Sequence, residues 1–322
     1  MLENNGYKKS YVYIVCPGHS GSTLLSILLN THPNISSPGE YIPFFKVGVD
    51  KVPKCSCGNP VNECEFWNKI ESLVSGNGYS YFKAYYNSSL PIDFNNKLTK
   101  LCYYYPSPFR YLEKVRNFIL SVDKRNQLRN EQMVQFCSTI AESVMCVENS
   151  DVFVDATKNI LIFKLLSKGL SDDKNLDFKA IHLVRDPRGV VNSLRSRQKR
   201  RDLRISSVKE AAMYWVKAHR LIEYVKRDYI RQNQVLLVRY SDLCKNPEKE
   251  MKRISKYLGV EYDYQLNNID NKSFHIFGNS MRNKPVEAIS LDRKWGRTLS
   301  KSDQETILRI SKRFCTLYGL EE

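Results

Sequence analysis

The sequence predicts an α/β fold, a parallel sheet flanked by helices and interrupted by one helical insertion. Three observations carry this. Residues 11–16 (YVYIVC) are apolar, aromatic and β-branched with no charge, and a tight polar turn and an apolar helical run follow. Three further buried-strand patterns, at 151–155, 178–184 and 235–240, each run into a helical pattern. Strands alternating with helices imply a parallel sheet with crossover helices. The chain has 322 residues, 42% of them hydrophobic, enough for one large domain with insertions or two smaller ones. It shows no repeat and no long low-complexity linker, so the expectation is a single domain over 1–322.

The first strand leads into Pro17-Gly18-His19-Ser20-Gly21-Ser22-Thr23. Leu24, Leu25, Ile27, Leu28 and Leu29 then form a helical apolar face that stops near Asn30, before Pro33. Strand, Gly/Ser/Thr turn and helix together make a phosphate-binding shape. Amide groups at the helix start converge on one spot, and the helix dipole there favours an anion. Gly18 and Gly21 allow close backbone approach, and the Ser20, Ser22 and Thr23 hydroxyls add donors. An ordinary strand-to-helix turn would need no more than the glycine pair. A triphosphatase loop would read GxxxxGK[ST]; here Ser22-Thr23 follows Gly21 and no lysine is present.

Composition adds bounds. The formal net charge of +16 suits nucleic acid, a membrane surface or anionic small molecules, or simply a solvated basic surface. Nine cysteines, scattered through predicted core segments, argue for a reducing compartment rather than a disulfide scaffold. No apolar run reaches the ~18–20 residues of a membrane span, and no signal peptide precedes Tyr11. The expected location is cytoplasmic.

Along the chain, Pro38-Gly39 predicts a turn within 34–43, and Glu40 follows it directly. Residues 55–67 (CSCGNPVNECEFW) hold Cys55, Cys57 and Cys64. Three sulfurs with no histidine nearby fall short of four metal ligands, so structural packing is the first reading, with metal, redox or a Cys57–Cys64 disulfide as alternatives. Residues 71–148 read as a helical insertion, with helical spacing at 110–122 and 133–147. Its Tyr103-Tyr104-Tyr105 cluster suits a groove or ordinary packing. After the strand at 151–155, Lys158 stands at a helix start, the electrostatically unfavourable end for a cation. The strand at 178–184 ends in Arg185-Asp186-Pro187, with Pro187 opening a helix that carries Ser193 and Arg197. Residues 195–204 are very basic. A long amphipathic helix spans 208–232, with Trp215 on it. Tyr240-Ser241-Asp242-Leu243 then leads to a helix at 247–258 stopped by Gly259, and a final helix spans 301–318.

These motifs, in this order, resemble the sulfotransferases that use 3′-phosphoadenosine 5′-phosphosulfate (PAPS), and most closely their bacterial and tyrosylprotein-directed branch. HSGSTLL matches the 5′-phosphosulfate loop, and the Arg185-x7-Ser193 spacing after a strand matches the 3′-phosphate site. The resemblance covers 11–40, 151–200, 235–260 and, more faintly, 275–300. It implies a P-loop-type fold and in-line sulfuryl transfer from PAPS to a hydroxyl acceptor, which is a carbohydrate, a tyrosyl group or another small molecule. It also implies Glu40 as the base, and Lys158 with His19 stabilising the developing charge. Gly18, His19, Ser20, Gly21, Ser22, Thr23, Arg185, Ser193 and Arg197 would bind the donor, with Tyr240, Arg282 and Lys294 in support. His19 departs from the family, where Lys or Arg is usual. The segment C-x-C-G-x-P-x-x-x-C-x-F-W recurs in bacterial sulfotransferase-like proteins. The resemblance implies no metal, and 71–148 would cover the acceptor. Two rivals stand beside it: a P-loop small-molecule kinase needing ATP and magnesium, and a non-catalytic protein binding nucleic acid or another polyanion. The paired phosphate motifs speak against the second, so no nucleic-acid partner is expected.

Overall fold

The structure is a computed structural model that describes residues 8–42, 52–82, 122–171, 173, 175–198 and 207–320, with 90, 115, 118 and 120 as isolated positions; at 197 and 198 only the backbone is described. Five parallel strands form one sheet in the order β2-β3-β1-β4-β5. They are β1 (Lys9–Val15), β2 (Ile35–Gly39), β3 (Val152–Asp155), β4 (Leu176–Val184) and β5 (Val235–Arg239). The described helices are α1 (Ser22–Leu29), α2 (Glu65–Gly76), α3 (Lys124–Glu148), α4 (Ile160–Gly169), α5 (Pro187–Gln198), α6 (Val208–Tyr229), α7 (Tyr240–Lys245), α8 (Pro247–Leu258), α9 (Trp295–Thr298) and α10 (Lys301–Tyr318).

The central strand explains the layers. On β1, Tyr11, Tyr13 and Val15 point to one face and Val12 and Ile14 to the other, all of them buried. The first set packs with Phe153, Phe178 and the apolar sides of α2, α3 and α4; the second packs with α1, α7 and α8. A third cluster joins α5, α6 and α10 beyond the end of β4. Both faces of the sheet are therefore covered, as the charge-free run at 11–16 requires.

The parallel register sets the position of the site. Tyr13 pairs with Asp155 on one side of β1, and Val15 with His182 on the other. The loops after β1, β3 and β4 thus leave from one edge of the sheet, on both sides of the central strand, where open α/β sheets bind ligands.

Two elements differ from the sequence reading. Pro38-Gly39, read as a turn, lies in β2 (Ile35–Gly39), a fifth strand at the sheet edge, with an irregular register between Ser36 and Gly39. An edge position is where a proline such as Pro38 can sit in a strand. Tyr240, read as the last strand residue, opens α7. Within the proposed insertion, α3 packs into the core beneath the sheet through Met133, Phe136, Cys137 and Ile140. Tyr103, Tyr104, Tyr105 and most of the helix expected at 110–122 lie outside the described residues, as does most of the basic run at 195–204. The eight described cysteines are free, Cys57 and Cys64 among them. No described helix is long and apolar enough to cross a membrane.

Asp155 is fully buried at the end of β3, accepting from the Tyr11 hydroxyl at 2.8 Å and from the Thr157 amide at 2.7 Å. Burial raises its carboxyl from 3.8 to about 6, with those two donors pulling the other way. The native state thus holds this proton more tightly than the unfolded chain. The stability it contributes is full below pH 3.8 and is lost as pH rises through about 6. Asp155→Asn removes the charge, so the stability of the variant relative to wild type should rise by roughly 3 kcal/mol across that window. Urea denaturation of both proteins over the pH range reads this difference.

Candidate active site at the carboxyl ends of the strands

A cavity of about 550 Å³ opens at this edge, lined by the 16–23 loop, Glu40, Thr157, Lys158 and one face of α6. Gly21 caps α1 in the left-handed conformation (φ 98°), and no side chain caps that helix end. A Cβ on Gly21 would lie 2.5 Å from the Tyr240 ring, so glycine is needed for both its backbone angle and its size. Ser22 and Thr23 occupy the first turn of α1 and line the cavity. Ser20 is fully buried, and its hydroxyl has no partner of good geometry among the described residues; the same is true of the Thr157 hydroxyl. The start of α1 beside them has no side-chain cap, so its first amides are left for an anion.

Two non-glycine residues at the cavity have positive φ, His19 at 68° and Lys158 at 64°. Such angles cost roughly 1–2 kcal/mol and persist only where surrounding contacts enforce them. The Lys158 side chain is held by Glu40, whose Oε1 accepts from Nζ at 2.6 Å. The helix behind Lys158 is capped by Asn159, which receives the Leu161 and Ile162 amides. That leaves the lysine side chain turned into the cavity. Across the cavity, α6 contributes Tyr214 and Lys217, and the Tyr214 hydroxyl accepts from the Gly18 amide at 3.2 Å. Sequence reasoning did not single out these two residues. An amphipathic pattern places α6 against the fold but does not say which turn meets the cleft.

Arg185 sits on the far side of His19, with 8% of its surface exposed. It donates to the His19 carbonyl at 2.9 Å and to the Asp292 carboxylate at 3.0 Å. Its guanidinium lies 4.6 Å from the centre of the Tyr240 ring. A Cβ on Gly189 would lie 2.9 Å from Arg185 Nε, and the Ser193 hydroxyl donates to the Gly189 carbonyl at 3.0 Å. Arg185, Ser193 and Tyr240 thus share one corner, and the carboxylate of Asp292 fills the anion position on the fork.

The remaining expected residues are placed differently. Arg282 donates to the Lys54 carbonyl at 2.8 Å and to the Gly278 carbonyl, bracing the segment around 278. Lys294 is exposed and caps α9, its amide donating to Asp292. Arg197 lies on α5, with its side chain outside the described residues.

Residues 173–264, which include Arg185, Ser193 and Tyr240, match the family model described as "Sulfotransferase family". The matched stretch runs from β4 to α8, and it is this part of the chain that is similar to the sulfotransferase family. Solved structures similar to this chain include the sulfotransferase domain of the curacin biosynthetic pathway, with 17% identity over 96% of this chain and 98% of that one, at a TM-score of 0.49. The sulfotransferase domain of the Synechococcus PCC 7002 olefin synthase has 19% identity over 96% of each chain, at a TM-score of 0.48. Retinol dehydratase, solved with androsterone and the inactive cofactor PAP, has 13% identity over 91% of this chain and 85% of that one, at a TM-score of 0.34. No curated protein matches the sequence.

Gly21→Ala should cost about 2–4 kcal/mol, since it combines a forbidden backbone angle with overpacking against Tyr240. Chemical denaturation measures the loss, and Gly78→Ala serves as a reference, because a Cβ there meets nothing within 4 Å and pays only the angle.

Proposed function

We propose that this protein is a sulfotransferase that moves a sulfuryl group from PAPS to a hydroxyl acceptor, with Glu40 as the base. The observation that carries the proposal is the Glu40–Lys158 pair, a carboxylate and a cation 2.6 Å apart on the wall that faces the anion loop. Sulfuryl transfer to a hydroxyl needs those two groups: an acceptor for the hydroxyl proton and a cation where charge builds.

The residues suit the donor. PAPS, when bound, supplies the activated sulfuryl group. Two anion positions are needed. The α1 start, with Ser20, Ser22 and Thr23, offers amides and hydroxyls for the phosphosulfate end. The Arg185 fork, with Ser193 beside it, offers bidentate donors for the second phosphate, and Asp292 must give way there. His19 bridges the two through its carbonyl bond to Arg185. Arg197 and Lys294, the latter beside Asp292, belong to the same reading as basic residues on the nucleotide side, whereas Arg282 braces the segment around 278. Gly18 brings Tyr214 to the loop.

Within the cavity, Glu40 takes the acceptor proton on a carboxylate oxygen. Lys158 holds that carboxylate in place and sets a positive charge beside the transfer path. The apolar side of α6, with Ala218, Leu221 and Ile222, limits water at the same wall. The acceptor enters opposite the loop, and residues 71–148 are proposed to cover it within a single domain spanning 1–322.

3′-Phosphoadenosine 5′-phosphate should raise the melting temperature of wild type, while Arg185→Ala should lose most of that shift; AMP should give little in either. A shift seen only with ATP and magnesium would overturn the reading in favour of a kinase. Glu40→Gln should keep the bisphosphate shift and lose about 10²–10⁴-fold in PAPS-dependent turnover once an acceptor is found by screening. Undiminished turnover in that variant would remove Glu40 as the base.

A further inference from the structure

The cysteine segment at 55–64 is absorbed by none of this chemistry. In sequence it offers three sulfurs and no fourth ligand. In the fold, His275 arrives from 211 residues beyond Cys64. Its Nδ1 lies 3.3 Å from Cys64 Sγ and 3.5 Å from Cys55 Sγ, and Cys57 Sγ lies 3.7 Å from Cys64 Sγ. All four ligand atoms fall within 4.8 Å of one another.

These spacings can be compared with a tetrahedron. Zinc bonds of ~2.3 Å to sulfur and ~2.0–2.1 Å to nitrogen put sulfurs about 3.8 Å apart, and sulfur and nitrogen about 3.6 Å apart. The three distances above lie close to those edges. A Cys57–Cys64 disulfide would need the sulfurs near ~2.05 Å, and both residues are free.

The surroundings hold the ligands in this arrangement. The Cys55 amide donates to the Asn59 carbonyl at 2.9 Å, and the Gly58 amide to the Cys55 carbonyl at 3.0 Å. Gly58, at φ 98°, turns the chain so that Cys55 and Cys57 face inward together. Cys64 is the N-cap of α2. The His275 ring stacks on Phe66, with centres 4.6 Å apart and planes 3° from parallel, and its backbone takes a positive φ of 50°. Cys55 and Cys64 are buried, and Cys57 and His275 are half-buried.

We propose that Cys55, Cys57, Cys64 and His275 form a structural zinc site. Four protein ligands leave no open position, so the metal carries no chemistry of its own. It clamps the 275–282 segment onto the 55–64 knuckle. The clamp reaches the active site in two steps. The Ile276 amide donates to the Ser56 hydroxyl at 2.9 Å and the Phe277 amide to the Pro38 carbonyl at 2.8 Å; the Glu40 amide then donates to the Phe277 carbonyl at 3.3 Å. Zinc therefore fixes the segment that positions the Glu40 backbone. The site itself does not depend on Glu40 being the base.

Metal analysis of protein made in zinc-supplemented medium tests this. Wild type should carry one zinc per chain. His275→Ala and Cys64→Ser should carry about tenfold less, and Cys146→Ser, at an exposed cysteine elsewhere, should keep it. Should the two ligand variants fail to fold, cobalt decides: cobalt-loaded wild type should show the intense visible bands of tetrahedral thiolate coordination. His275→Cys should keep the metal and add thiolate-to-cobalt charge transfer. Chelation of the zinc protein should lower its melting temperature by roughly 5–10 °C. Metal-free wild type whose three thiols all react while it stays folded would overturn the proposal. So would zinc that remains in both ligand variants.

Discussion

One buried guanidinium holds the walls of the cleft in register. Arg185 leaves the end of β4 and touches the His19 carbonyl, the Tyr240 ring, the Gly189 backbone and Asp292. Its own carbonyl receives the Trp215 indole of α6 at 3.2 Å. The anion loop, β4, α7, α6 and the segment before α9 thus meet at one side chain. A lysine could not replace it. An ammonium lacks the flat face that lies on Tyr240 and the fork that serves two acceptors at once. A buried charge costs several kcal/mol unless it is paired, and Asp292 supplies the pair. The bond to His19 also helps hold that residue at its costly positive φ. Strain in the loop and charge in the corner are therefore offset by the same contacts.

The second constraint comes from the sheet edge. β2 pairs with β3 so that Gly39 stands opposite Asp155, and the Ala156 amide donates to the Gly39 carbonyl at 3.1 Å. That pairing ends both strands together. Glu40 and Lys158, one and three residues further on, then face each other over a distance their side chains can span. Had the 34–43 stretch been the turn its Pro38-Gly39 pair predicts, the carboxylate would have had no fixed height relative to the lysine.

Much of this was legible in the sequence, and the exceptions have physical causes. The strand-loop-helix unit at 11–29 was legible because it is local: periodicity, glycines and hydroxyls all fall within one short stretch. The α8 boundaries were legible through Pro247 and Gly259. β2 was not, because strand pairing overrides turn propensity at an edge, where Pro38 needs no ladder partner. Tyr214 and Lys217 were hidden because amphipathicity gives a helix its buried side without giving it a neighbour. His275 was hidden most deeply. A ligand 211 residues from its partners leaves no spacing to read.

That long separation bears on what the cysteine knuckle contributes. Closing a loop of this size costs only slightly more entropy than closing a shorter one, because the cost grows with the logarithm of length. The fold has in any case closed it already, through β3, β4 and β5. A metal at Cys55, Cys57, Cys64 and His275 would therefore add little by way of chain closure and much by way of position. The 275–279 segment has few regular backbone bonds of its own; it is held by Ser56, Pro38 and Arg282. Its Phe277 carbonyl packs so closely on Gly39 that a Cβ there would collide with it, and a Cβ on Gly278 would lie 3.4 Å from Glu40 Oε1. A shift of that segment by half an ångström would be felt directly at the carboxylate, and proton transfer tolerates little misplacement. A rigid four-ligand clamp beside an otherwise irregular strand is thus a reasonable way for this chain to keep the proposed base in place without using a metal in the reaction.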